Sequence, residues 1–205
     1  MMQLIGMLDS PYVRRVAISL KLLDIPFEHR PLSVFRNFEE FSQINPLVKA
    51  PTLICKDGTV LMDSTLILDY IEAIDPSRYS LMPIGGTDRQ QALRLIGIAL
   101  MACEKTVQIV YERTLRPAEK QHQPWLDRVT GQLISAYDLL EQASVQPSPW
   151  LMGDRPMQPD ITICVAWRFT QFIIPDVIDA SQYPKLSQFS AQAEQLPEFV
   201  STPLE

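Results

Sequence analysis

A chain of 205 residues, 46% hydrophobic and 20% charged, is long enough for one large or two modest domains and has the composition of an ordinary globular protein, which excludes a disordered chain. Its net charge of −6 is shared by both halves, with seven basic and ten acidic residues before Arg78 and eleven and fourteen from there on, so neither half offers a basic field for nucleic acid. No apolar run approaches the roughly 18 residues that span a bilayer, and Met1-Met2-Gln3-Leu4-Ile5 leads straight into a strand without the segments of a signal peptide, so a cytoplasmic location is expected.

Leu4 and Ile5 predict a short buried strand, and Val13, Val16, Ala17, Leu20 and Leu23 follow at helical spacing. Ser10 then falls at the N-cap and Pro11 at the first helical position, where both residue types are favoured whatever the protein does. Pro26-Phe27-Glu28-His29-Arg30 predicts a second strand, and Asn37 to Ile44 a short helix. Pro51 to Cys55, the turn Lys56-Asp57-Gly58 and Thr59 to Met62 predict a hairpin, because Asp-Gly between two apolar runs is a turn signal. Leu66, Ile67, Tyr70, Ile71 and Ile74 predict an amphipathic helix stopped by Asp75-Pro76.

Periodicity lapses from Tyr79 to Gly86, where Pro83-Ile84-Gly85-Gly86 reads as a linker, and everything beyond is helical in pattern. Thr87-Asp88-Arg89-Gln90 fits a capping box opening a long helix with Leu93, Ile96, Leu100, Cys103 and Val107, ending before Arg116-Pro117. A second long helix starts near Pro124-Trp125 with Val129, Leu133, Ala136 and Leu140 on one stripe. Ile161 to Phe172 is apolar on nearly every side and predicts a helix buried within a bundle. A shorter helix follows Pro184. The expected organisation is an α/β domain over 1–77 in the order βαβ-α-ββα, a linker over 78–87 and an all-α domain over 88–205.

Cys55, Cys103 and Cys164 lie in apolar stretches, odd in number and without C-x-x-C spacing, which reads as core rather than disulfides or zinc ligands. Two histidines, His29 and His122, have no cluster of Cys, Asp or Glu at ligand spacing, so chemistry without a metal is expected.

Four features in this order resemble the cytosolic glutathione transferases of the bacterial, serine-type kind: Ser10-Pro11-Tyr12-Val13-Arg14 after the first strand, Asn45-Pro46 followed by Lys49-Ala50-Pro51-Thr52-Leu53, Asp63-Ser64 opening the third helix, and Asp160 opening the buried helix. The resemblance covers essentially the whole chain. It implies a thioredoxin-like N-terminal domain that binds glutathione and a helical C-terminal domain that shapes the site of a second substrate. It also implies that Pro51 is a cis-proline, and that Ala50 pairs with the cysteinyl backbone of glutathione as an added strand would. Ser64 and nearby backbone N–H groups at a helix N-terminus would take the γ-glutamyl carboxylate. Asp63 would support the ammonium or orient the turn, and Lys49 would add a further glutathione contact. Pro51 as an ordinary strand opener and Asp63-Ser64 as an ordinary helix start are the alternatives.

By the same resemblance Ser10 would be the catalytic residue, donating its O–H to the glutathione sulfur, with Tyr12 as second candidate. Arg14 and Arg15 could add positive potential, although solvated or interdomain positions are the expectation for both. A thioredoxin or glutaredoxin would place cysteine at this turn, and serine cannot form a mixed disulfide, so conjugation is favoured over thiol exchange. The resemblance places the electrophile between the first helix and the long helix, with Glu104, Thr106, Gln108 and Tyr111 as candidates, and implies a homodimer. Val48 stands where the family often has Gly, and Met157 where it has the Ser or Thr that caps the Asp160 helix; Pro159 could compensate by presetting the first turn. The alternative function is a non-catalytic glutathione-binding or protein-interaction protein of the same fold, like the stringent starvation proteins.

Overall fold

The computed structural model describes residues 1–74, 79–144 and 149–204. The chain divides into two compact units, Met1–Leu81 with Gln195–Glu205, and Met82–Glu194. The predicted helix stop at Asp75-Pro76 and the 77/78 boundary lie outside the described residues.

The first unit is built on a four-stranded sheet of β1 (Met2–Ile5), β2 (Phe27–Arg30), β3 (Thr52–Ile54) and β4 (Val60–Met62), in the order β2-β1-β3-β4. β1 runs parallel to β2 and antiparallel to β3, and β4 is antiparallel to β3. The βα connection through α1 (Pro11–Leu22) makes the parallel pair possible, and the Lys56-Asp57-Gly58 turn makes the antiparallel one, with Gly58 at φ 88°. α2 (Phe38–Ile44) and α3 (Ser64–Ile74) complete the α/β layer. Ile5 lies opposite Thr52 and Thr52 opposite Met62, so the end of β1, the start of β3 and the end of β4 share one end of the sheet. Leu4, Ile5, Val13, Val16, Leu20, Leu53, Ile67 and Ile71 form the core beneath it. This is the thioredoxin-like arrangement, and among the described residues the elements that follow it are helical.

In the second unit α4 (Gly86–Thr114) packs on α5 (Gln123–Ala143) and α6 (Gln158–Ile173), with α7 (Pro184–Ala193) against α6. α6 is buried without a break from Gln158 to Trp167. Where it meets its neighbours, the Tyr137 hydroxyl donates to Ala166 O at 3.0 Å, Thr106 and Thr170 hydroxyls bond at 2.7 Å, and Trp167 packs edge-on to Tyr137. The three cysteines are buried and form no disulfide.

Two local expectations are corrected. α4 begins at Gly86 with Gly85 as N-cap, so Thr87 already lies inside the first turn and forms no capping box. Leu93 is exposed and Leu95 takes its place in the core, because the buried stripe runs through Ala92, Leu95, Ile96 and Ala99. The tail also differs in placement from the 88–205 expectation: α8 (Pro197–Val200) packs on α1, within the first unit.

Candidate functional site at one end of the sheet

Three segments meet the sheet at the end shared by β1, β3 and β4. The first is the β1–α1 turn. Gly6 has φ 137°, and a Cβ there would lie 2.6 Å from Val13 Cγ2 and 3.1 Å from the Ala50 Cβ, so the turn passes directly against the loop before β3. Ser10 ends the turn in extended conformation, with its carbonyl accepting from Arg14 N at 2.9 Å. It stands at the N-cap, yet its side chain makes no capping hydrogen bond. Ser10 is half-buried, and its side chain does not play the expected capping role.

The second segment is the loop into β3. The Ala50-Pro51 peptide is cis. Asn45, 5% exposed, holds the loop from both sides of its amide, as Nδ2 donates to Thr52 Oγ1 at 2.9 Å and Oδ1 accepts from Leu47 N at 3.0 Å. Thr52 in turn donates to Lys49 O at 2.6 Å. Lys49 is exposed beside Ala50. Val48 has φ 47°, the left-handed conformation that explains a preference for Gly there; the loop keeps its path with a β-branched residue in the position.

The third segment is the start of α3. Asp63, at φ 70° and exposed, accepts from Thr65 N at 2.8 Å and so caps the helix. Ser64 follows, 3% exposed. α1 and α3 therefore both begin at this end of the sheet, and their free N–H groups and dipoles favour a negatively charged ligand.

Where the sequence predicts solvated or interdomain positions for Arg14 and Arg15, the structure buries both almost fully, at 1% and 2% exposure. Arg14 Nε donates to Thr202 O at 2.8 Å and its guanidinium lies over the Phe199 ring, tying the tail to α1. Arg15 reaches across to α3, where Nη1 donates to Ser64 Oγ at 3.2 Å and to Thr65 Oγ1 at 3.3 Å. The signal that could have found them is the run Val13, Val16, Ala17, Ile18 and Leu20, which leaves α1 no wet face for two arginines. Sequence-predicted Ser10, Ala50, Pro51, Asp63 and Ser64 are thus brought to one end of the sheet, and Arg15 joins them.

The electrophile candidates on α4 fare unequally. Thr106 is fully buried and bonded to Thr170, which makes it a core residue rather than a pocket one. Glu104 and Gln108 accept from the Lys105 ammonium at 2.9 and 3.2 Å, and Tyr111 is exposed. Burial pushes the Cys55 thiol up from its ordinary pKa, which leaves it a poor nucleophile. Among the described residues no group of three or more His, Cys, Asp or Glu is placed to hold a metal, and no helix is long and apolar enough to cross a membrane.

With this geometry in view, residues 4–79 match the family described as "Glutathione S-transferase, N-terminal domain". Over those residues the chain is similar to the N-terminal domain of the glutathione S-transferases. Among similar proteins, an uncharacterised GST-like protein of Escherichia coli, YibF, is 28% identical over 68% of each chain. A maleylacetoacetate isomerase of Pseudomonas aeruginosa is 26% identical over 74% of this chain and 72% of its own. A glutathione S-transferase of Methylobacterium radiotolerans, solved in complex with glutathione sulfonate, is 25% identical and superposes with a TM-score of 0.90 over 98% of this chain and 93% of its own.

Proposed function

We propose that this protein is a cytoplasmic, homodimeric glutathione transferase that conjugates the glutathione thiolate to a small hydrophobic electrophile. The observation that carries this function is the Ser10 hydroxyl, which stands at a helix N-terminus without capping it, on the same sheet end as the Ala50–Pro51 loop and Ser64. The cysteinyl backbone of glutathione pairs with Ala50, Ser64 and Asp63 hold the γ-glutamyl group, and Lys49 lies beside them. The sulfur then faces Ser10.

A free thiol of pKa about 8.5 is mostly protonated at neutral pH. Lowering it by about two units requires a preference for the anion of about 2.7 kcal/mol. One hydrogen bond from Ser10 to the thiolate, worth roughly 1.5–3 kcal/mol, together with the α1 N-terminus, supplies that amount without a general base. The thiolate forms a carbon–sulfur bond to the electrophile, and either the bond to a leaving group breaks and that group departs with the electron pair, or a π bond yields its pair to the adjoining atom, which takes a proton from solvent. Exposed Val60, Met62, Leu66 and Tyr70 on the first unit support the dimer.

Calorimetric titration with glutathione on wild type and Ser10→Ala, beside the ultraviolet absorbance of bound thiolate, tests the assignment. Absence of binding sinks the transferase function, and an unchanged thiolate signal in Ser10→Ala removes Ser10 from its role. A second function, glutathione-dependent cis–trans isomerisation, is supported by the similarity to a maleylacetoacetate isomerase. Conjugation consumes glutathione and isomerisation returns it, so following free thiol during turnover separates the two; binding with no turnover of either kind would leave a glutathione carrier.

A further inference from the structure

Arg15 is a buried cation whose Nη1 donates to two hydroxyls at the start of α3, Ser64 Oγ at 3.2 Å and Thr65 Oγ1 at 3.3 Å. A serine hydroxyl has one proton to give and two lone pairs with which to accept, whereas a guanidinium only donates. With one Ser64 lone pair engaged by Arg15, the Ser64 proton has to point away from Arg15. A hydroxyl held this way is biased toward donating, and the neighbouring positive charge polarises its O–H bond and makes it a stronger donor. Without the guanidinium, the same hydroxyl turns freely and accepts from a cation as readily as it donates to an anion.

We propose that Arg15 is a positioning residue that locks the Ser64 hydroxyl as a donor and so selects a carboxylate at the start of α3. Under the glutathione function proposed above, on which this assignment rests, that carboxylate is the α-carboxylate of the γ-glutamyl group. The second bond, donated by the same Nη1 to Thr65, holds this end of the guanidinium against the start of α3, and a lysine, with a shorter stem and a rotating ammonium, holds its N–H groups there less rigidly. Asp63 suits the same division of labour, because its carboxylate stands one residue away, exposed, where the ligand's ammonium would lie.

The test is calorimetric titration with two probes, glutathione and 4-aminobutyryl-cysteinylglycine, which keeps the ammonium and the peptide but lacks the α-carboxylate. Wild type is expected to prefer glutathione by about tenfold to hundredfold, the range of one charge-assisted hydrogen bond. Arg15→Gln is expected to bring that ratio close to one, as is Ser64→Ala. Arg15→Lys, which retains the charge, is expected to keep only part of the preference and stands in if Arg15→Gln does not fold, as judged by thermal unfolding. A merely structural Arg15 would change stability, or weaken both probes together, without moving their ratio. A wild-type ratio in a folded Arg15 variant overturns the proposal, and so does an unchanged ratio in Ser64→Ala. A wild type that binds both probes equally sinks this assignment alone, whereas a wild type that binds no glutathione sinks the glutathione function and this assignment with it.

Discussion

Val48 holds a left-handed backbone that costs a residue other than Gly about 1–3 kcal/mol, in the loop that delivers Lys49 and Ala50. Val48→Gly is expected to raise stability by about 1 kcal/mol in urea unfolding, the relief of strain being partly offset by the freedom Gly gains in the unfolded chain. A lower midpoint would mean that the Val48 side chain contributes more packing than its backbone costs. Gly6 is the opposite case: a Cβ at 2.6 Å from Val13 Cγ2, on a backbone at φ 137°, has nowhere to go, and Gly6→Ala is expected to cost at least about 3 kcal/mol in the same measurement. At this scale the sequence displayed Ser10, Pro51 and Ser64, because turn and cap chemistry is local and each residue type carries its own geometry. It hid the surroundings of Arg14 and Arg15, whose partners Thr202 and Ser64 are distant along the chain and announce nothing to a neighbour-by-neighbour pattern.

Among the helices, α6 shows how a cap survives with half its usual parts. Met157 supplies no hydroxyl, but the Asp160 carboxylate turns back to accept from Met157 N at 2.8 Å and reaches the preceding loop through Leu151 N, also at 2.8 Å. Burial pushes the Asp160 carboxyl up from its ordinary 3.8 to about 6, against the pull of those backbone hydrogen bonds. The folded state therefore holds the proton more tightly than the unfolded chain. The stability this provides is complete below about pH 3.8 and is lost as pH rises through about 6. Measured by urea unfolding at pH 4.5 and pH 7.5, the advantage of wild type over Asp160→Asn is expected to be larger at the lower pH; an equal or smaller advantage there would contradict the raised carboxyl. The periodicity of α5 and the unbroken apolar character of α6 made these helices legible. Their starts were less so, since capping residues are common: Thr87 fits the pattern and goes unused, while Gly85, without a side chain, holds the N-cap of α4.

At the scale of the whole molecule, the exposed apolar side chains of the first unit bear on assembly. Leu66 is 65% exposed on α3, one helical turn from Tyr70, and Met62 of β4 is exposed in the same unit. Under the proposed dimer, wild type is expected to scatter light with twice the chain mass at micromolar concentration and Leu66→Glu with the mass of one chain, the secondary structure staying intact; a wild type of single-chain mass would overturn the dimer. Composition and the switch from mixed to purely helical pattern made the two-unit organisation readable. The membership of the tail was not, because the segment after α7 is too short and too irregular to reveal which core it completes. Arg14 gives that tail its wider meaning. A buried guanidinium in the first helix bonds the Thr202 carbonyl, 188 residues along the chain, and lies over the Phe199 ring. The α/β unit is thus assembled from two stretches far apart along the chain, and its interior closes only when both are in place.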